Sequence, residues 1–283
     1  MLARPLLDAL VDRILEEDLA GGDLTTEACV DEARTAVATA VARKPLVVCG
    51  GGVFRRVFER IDPDVAVELT VADGVEAPVA TALWTVRGRA RSLLVAERTA
   101  LNLVQRMSGV ATQARRYAAA VPAGSTTRIT DTRKTTPGLR ALERYAVRTG
   151  GANNHRNDLG AAVLIKDNHI VAAGGIAVAI ERARARAPHT SRIEVEVASL
   201  GELEQALAAG ADIVMLDNFS TADVRTACAR IAREKPRPLV EVSGGITLER
   251  IGELASAGVD LISVGALTHS APAADIALDL RLA

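Results

Sequence analysis

The sequence predicts an α/β fold in which a region of helix and short strands precedes a parallel sheet covered by helices. Two observations carry this prediction. Six brief apolar runs, at residues 128–131, 162–166, 193–197, 213–216, 239–242 and 261–264, alternate with helical segments. Continuous apolar strands separated by helices form parallel sheets buried on both faces. Six of them point to a barrel or partial barrel, with a doubly wound open sheet as the alternative. The second observation is an internal repeat: "GAAVLIKDN" (160–168), "GADIVMLDN" (210–218) and "GVDLISVGA" (258–266) align without gaps. In each, a glycine suited to a helix C-cap precedes a short buried strand. Polar or small residues then close the strand, on the face where α/β proteins build their sites. Convergence of βα units on similar sequences is the plainer account of the repeat and leaves the barrel expectation intact.

Taken in order, residues 4–17 carry Leu6, Leu7, Leu10, Val11 and Ile14 at helical spacing, ended by Gly21 and Gly22. Residues 35–92 read as strands and turns, because "TAVATAVARK", "DVAVELTVADG" and "TALWTVRGRARSLL" are rich in β-branched residues and divided by Gly, Pro and Asp. A long helix is predicted over 93–120, with Leu94, Leu101, Val104 and Met107 in its stripe and Pro122 as its stop. The chain has 283 residues, 49% of them hydrophobic but only 2% aromatic, so Ala, Val, Leu and Ile must fill the core. A net charge of −1 gives no electrostatic reason to expect nucleic acid or a membrane surface as partner. No charge-free run reaches the 18 or so residues of a membrane span. The three cysteines are widely spaced with no CxxC pair, which argues against a disulfide framework or a structural zinc site and for a reducing, cytoplasmic setting. Of the 34 basic residues only four are lysine, so a lysine that remains carries slightly more weight as a functional candidate.

Four clusters hold the residues with chemistry to offer. "TDTRKTTPG" and "NNHR" bring Arg133, Lys134, His155 and Arg156 near a predicted strand end. Arginine offers a planar fork to carboxylates and phosphates, lysine a compact charge. Adjacent cations repel, so this pairing makes sense around an anion, an exposed basic loop being the alternative. In "LIKDNH", Lys166 closes an apolar run, followed by His169. Burying an unpaired ammonium is expensive, so Lys166 fits a substrate anion, a Schiff base or a structural salt bridge. In "IEVEV", Glu194 and Glu196 share one face of a strand, and Asp217 closes its neighbour. These carboxylates suit sugar hydroxyls, directly or through Mg²⁺, or an internal ion pair with Lys166 or an arginine. Last, "VEVSGGIT" and "SVGALTHSA" put Ser243, Gly244 and Gly245 after one strand and Gly265 after the next. Glycine turns admit a phosphate to backbone N–H groups, and paired loops late in a barrel form its usual phosphate site. This inventory fits a phosphorylated sugar meeting a carboxylated partner.

These segments, together with "EEDLAGGDLTT" and "AERTALNLVQRMSGVAT", closely resemble the quinolinate phosphoribosyltransferase family, in order over nearly the whole chain. The resemblance implies an N-terminal α/β sandwich and a C-terminal open, TIM-like α/β barrel of the type II phosphoribosyltransferases. The expected division is 1–110 for the sandwich, 111–270 for the barrel with the active site, and a C-terminal helix over 271–283. It implies quinolinate and phosphoribosyl pyrophosphate as substrates, Mg²⁺, and a homodimer with sites shared between subunits. Arg133, His155, Arg156 and Lys166 would face quinolinate, joined by Arg98 from the neighbouring subunit. Lys134, Glu196, Asp217, Ser243, Gly244, Gly245, Gly265 and His269 would hold ribose, metal and phosphates, with Lys134, Lys166, Glu196 and Asp217 as the catalytic set. Asp158, Ala161 and Ala198 depart from the family pattern, at positions expected to lie behind the site. A molybdenum-associated sister family, a Schiff-base aldolase acting through Lys166, and a non-catalytic phosphate binder are the competing readings.

Overall fold

The computed structural model describes residues 3–283, which form two compact units. The first comprises residues up to Arg115 together with Thr135–Gly151 and Leu267–Ala283; the second comprises Arg116–Lys134 and Ala152–Ala266.

In the first unit, helices α1 (Arg4–Leu19) and α2 (Leu24–Cys29) precede strands β1 (Thr35–Ala42) and β2 (Leu46–Val47), helix α3 (Gly51–Ile61), strands β3 (Ala66–Leu69), β4 (Glu76–Ala77) and β5 (Ala82–Arg89), and the long helix α4 (Ala90–Ala119). The expectation of strands and turns over 35–92 is therefore corrected at α3. Val53, Phe54, Val57 and Phe58 have helical spacing and are all buried. Phe54 packs on Phe58 and on Trp84 of β5, with ring centroids 4.9 Å apart in both pairs. Asp8 and Asp12, one turn apart on α1, take Arg56 and Arg60 of α3 in paired hydrogen bonds of 2.6 and 3.0 Å.

The expected C-terminal helix over 271–283 is instead a strand, β12 (Ile276–Leu282). Its sequence "IALDLRL" places Ile276, Leu278, Leu280 and Leu282 at every second position, the period of a strand. It pairs antiparallel with β1 from Ala42↔Ile276 to Ala36↔Leu282, giving a sheet in the order β12-β1-β5-β3. The approach to β12 passes so close to α4 that a Cβ on Gly109 would lie 2.0 Å from the Pro272 carbonyl, so only glycine fits there.

The second unit carries β6 (Arg128–Thr130), β7 (Val163–Ile165), β8 (Ile193–Val197), β9 (Ile213–Asp217), β10 (Leu239–Ser243) and β11 (Leu261–Ser263). All six expected strands are present. They form one parallel sheet in the order β6-β11-β10-β9-β8-β7, consistent with an α/β barrel left open between β6 and β7. Helices α6 (Asp167–Ala173), α7 (Ile176–Arg186), α8 (Leu200–Ala208), α9 (Thr221–Ile231) and α10 (Ile251–Ser256) connect them. Of the repeat glycines, Gly210 and Gly258 end helices with φ of 74° and 89°, while Gly160 sits in a loop and caps nothing.

Helix α5 (Arg140–Thr149) belongs to the first unit and brings in Glu143, which is fully buried. Its carboxylate accepts from Arg106 at 2.8 and 2.7 Å, from the Thr136 amide at 3.1 Å and from the Thr136 hydroxyl at 2.6 Å. Arg106 also donates to the carbonyl of Thr268, within the short helix α11 (Ala266–His269), and to that of Ala271 just after it. Removing one partner of a buried ion pair strands the other. Glu143→Gln is expected to destabilise the protein by about 3 kcal/mol, visible as a lower urea midpoint.

Candidate active site

The site follows from the alternation of side chains along the parallel strands. Register places Glu196 of β8 beside Met215 of β9, and Met215 beside Glu241 of β10; Asp217 lies beside Ser243. Residues two apart share a face, so Leu164, Lys166, Glu196, Met215, Asp217, Glu241, Ser243 and Ser263 all reach one cleft of about 580 Å³ at the C-terminal ends of the strands. The cleft is completed by Thr132, Arg133, Lys134, His155, Arg156, Asn218, Gly244 and Gly245. Ten of the expected site residues therefore come together: Arg133, Lys134, His155, Arg156, Lys166, Glu196, Asp217, Ser243, Gly244 and Gly245. Three do not. Arg98 is exposed on α4 and His269 is exposed at the end of α11, both in the first unit, and Gly265 follows β11 without lining the cleft.

Cations dominate one side. Burial and the neighbouring Arg133 press the Arg156 guanidinium below its ordinary pKa, the effect of crowding like charges where an anion would relieve them. Lys166 Nζ is paired with the Glu196 carboxylate. This realises the ion pair expected as one alternative for both residues, but inside the cleft, where a ligand can exchange for it. The Lys166 amide donates to His169 Nδ1 at 2.9 Å, so His169 caps α6 and is exposed rather than lining the cleft.

Backbone also lines the cleft. Gly244 and Gly245 adopt φ of 85° and 57°. A Cβ on Gly244 would lie 2.2 Å from Asn218 Oδ1, so the loop is closed to any side chain at that point. Asn218, itself at φ 57°, donates from Nδ2 to Asp217 Oδ2 at 2.7 Å and fixes that carboxylate.

Sequence reasoning placed Glu194 correctly in an acidic face but passed over Glu241, although it precedes Ser243 by two residues just as Glu194 precedes Glu196. Both are almost fully buried, with 3% and 2% exposure. His155 Nε2 lies 3.4 Å from Glu194 Oε2 and 3.4 Å from Glu241 Oε1. Among the described residues this trio is the one group of three potential metal ligands, its donor atoms within 4.8 Å of one another. Burial opposes charge on His155, but the two carboxylates outweigh it and raise the ring to about 10. Burial pushes Glu194 up, His155 opposes that rise and Glu241 adds to it. The Arg156 amide sits 2.7 Å from His155 Nδ1, a contact that suits the neutral ring. The two carboxylates favour the charged ring, the amide the neutral one.

The departures from the family pattern stay outside the cleft. Asp158 is exposed and accepts from the Gly160 amide at 2.9 Å and from Asn157 at 3.0 Å; Ala161 and Ala198 are exposed.

Fold and cleft define an α/β-barrel enzyme for anionic substrates. The family model for the quinolinate phosphoribosyl transferase C-terminal domain matches residues 110–279, and that for the N-terminal domain matches residues 23–108. The chain belongs to the quinolinate phosphoribosyl transferase family. It is 44% identical to the nicotinate-nucleotide pyrophosphorylase [carboxylating] of Mycobacterium leprae, over 95% of each chain. It is 43% identical to the protein of that name from Homo sapiens, over 97% of this chain and 91% of the other. The solved nicotinate-nucleotide pyrophosphorylase of Francisella tularensis superposes with a TM-score of 0.91 at 38% identity, covering 99% of this chain and 98% of that one.

Two expectations follow from the site. The His155 ring should show no titration between pH 6 and 8.5 in ¹⁵N NMR; its contribution to stability is complete below its unfolded pKa of about 6.5 and is lost as pH rises through about 10. Gly244→Ala should weaken pyrophosphate binding by about tenfold or more in calorimetry, because the loop must move to admit the new carbon.

Proposed function

We propose that this cleft transfers the phosphoribosyl group of phosphoribosyl pyrophosphate to quinolinate with loss of CO₂, giving nicotinate mononucleotide and pyrophosphate in de novo NAD biosynthesis. The single observation that carries the reading is that one cleft is lined by Arg133, His155, Arg156 and Lys166, by the Gly244–Gly245 backbone, and by Glu196 and Asp217 at the strand ends.

Each group has a task. The cations take the two carboxylates of quinolinate and orient its ring nitrogen toward the anomeric carbon. The Gly244–Gly245 amides and Ser243 hold phosphate, and Lys134 neutralises the departing pyrophosphate. Glu196 and Asp217 face the carbon on which positive charge grows as the leaving bond breaks. The ring nitrogen attacks that carbon, becomes quaternary, and then stabilises the electron pair left on the adjacent ring carbon when its carboxylate departs as CO₂; that ring carbon takes a proton from water to give the product. No enzyme nucleophile is needed, and neither the buried Cys49 nor the half-buried Cys228 lines the cleft: desolvation raises Cys49 to about 12 and Cys228 to about 11. Positioning and electrostatics do the work.

The reading includes Mg²⁺. Glu196 and Asp217 supply hard carboxylate oxygens in the same cleft as a phosphate loop, which suits an ion held by one or two carboxylates and by substrate phosphates. When bound it would offset the charge of the pyrophosphate. The reading also includes a cytoplasmic homodimer in which Arg98, exposed on α4, serves the partner's cleft. No helix among the described residues is long and apolar enough to cross a membrane.

The test is product formation from quinolinate, phosphoribosyl pyrophosphate and Mg²⁺, with nicotinate as the substitute acceptor. Nicotinate mononucleotide and CO₂ from quinolinate alone are expected, with activity lost in EDTA and restored by Mg²⁺; turnover of nicotinate in preference would overturn the acceptor assignment. Arg98→Ala and Lys166→Ala chains should each be inactive, while their mixed dimers regain part of the activity. Confirmed heterodimers without any rescue would remove the shared-site claim.

A further inference from the structure

Glu194 and Glu241 have no task in the reaction just described, and packing gives them no reason to be acidic. They occupy inward positions of a sheet whose neighbouring inward positions are Leu164 and Met215. Taking a carboxylate out of water costs several kcal/mol even after relaxation, and apolar residues of similar volume are often more stable in such places. Oε1 of each glutamate is buried without a hydrogen-bond partner. What the two share is His155 Nε2, 3.4 Å from both. The backbone of the same residue is fixed independently: its amide donates to Asp131 Oδ1 at 2.7 Å, Asn154 Nδ2 donates to Asp131 Oδ2 at 2.6 Å, and Asp131 is fully buried. His155 is therefore held at its amide by one carboxylate and faces two more, at ion-pair distance, from its ring tip.

We propose that Glu194 and Glu241 are positioning residues, which clamp the His155 ring at the floor of the cleft so that the acceptor docks on a preset cationic surface. This rests on quinolinate being the acceptor. With Nε2 engaged by two carboxylates, His155 acts through the place and charge of its ring rather than by passing a proton to substrate. The clamp then governs binding of the acceptor more than the chemical step, and leaves the phosphoribosyl donor untouched.

The experiment uses Glu194→Gln and Glu241→Gln, which keep shape and remove charge, each alone and combined with His155→Asn. The expected result is a KM for quinolinate raised about tenfold, with kcat falling much less and the KM for phosphoribosyl pyrophosphate unchanged. In the His155→Asn background the glutamine changes should add nothing further, since their effect runs through the ring. An unchanged KM for quinolinate, an equal loss on both substrates, or full additivity with His155→Asn would overturn the clamp. So would stoichiometric metal in the purified wild-type protein that Glu194→Gln releases, because the trio would then be a metal site. If the wild-type protein gives no product from these substrates, it is the functional reading that fails. The clamp is then read from the His155 ring ¹⁵N shifts, which both glutamine variants must move and which would sink it by staying put.

Discussion

Every second side chain of a parallel barrel strand points inward, and in this protein the inward rows are charged. That constraint organises the site. Carboxylates at Glu194, Glu196, Asp217 and Glu241 and cations at Arg133, Lys134, His155, Arg156 and Lys166 gather in or beside one cleft, with Glu194 and Glu241 buried and Lys134 exposed. None can be removed without unbalancing a neighbour. The deeper part, His155 with Glu194 and Glu241, is settled internally. The outer part, Lys166 with Glu196, is half-exposed and open to exchange with a ligand. A gradient from fixed to exchangeable charge thus runs from the His155 trio to the Lys166–Glu196 pair, and both ends line the cleft.

Much of this was legible in the sequence because the barrel strands are short, apolar and closed by polar residues, which marks both the strand and its functional end. The residues that gather in the cleft mostly lie one or two positions past an apolar run. What escaped did so for physical reasons. Helix α3 opens with Gly50-Gly51-Gly52, which reads as a turn and hides the helical spacing of Val53 to Phe58 behind it. β12 follows a Pro- and Ala-rich stretch and was taken for a helix, although its alternation was visible. Glu241 was missed because one acidic residue in "LVEVS" looks incidental until register sets it at the level of Glu196. Arg98, Gly265 and His269 lie away from the cleft lining, and a single chain does not bring Arg98 to it.

The first unit is held by different means. Its few aromatics are concentrated where α3 meets β5, and Glu143 with Arg106 and Thr136 forms one hub of its polar interior. Arg106 reaches the carbonyls of Thr268 and Ala271, while Gly109 leaves room for Pro272 beside the same helix. Helix α4 is thus the surface on which two later segments of the chain are received.

That arrangement has a consequence during synthesis. Strands β3, β5 and β1 emerge early and can pair, but the outer edge of β1 waits for β12, which follows the whole barrel in the chain. At roughly 5–20 residues per second the wait amounts to tens of seconds, with the whole barrel emerging in between. Throughout it the edge "TAVATAVA", uncharged and rich in β-branched residues, presents unpaired backbone to the surroundings, the condition under which strands recruit the wrong partner. The seven-residue strand β12 is therefore the nascent chain's edge guard, and it is delivered only after the barrel.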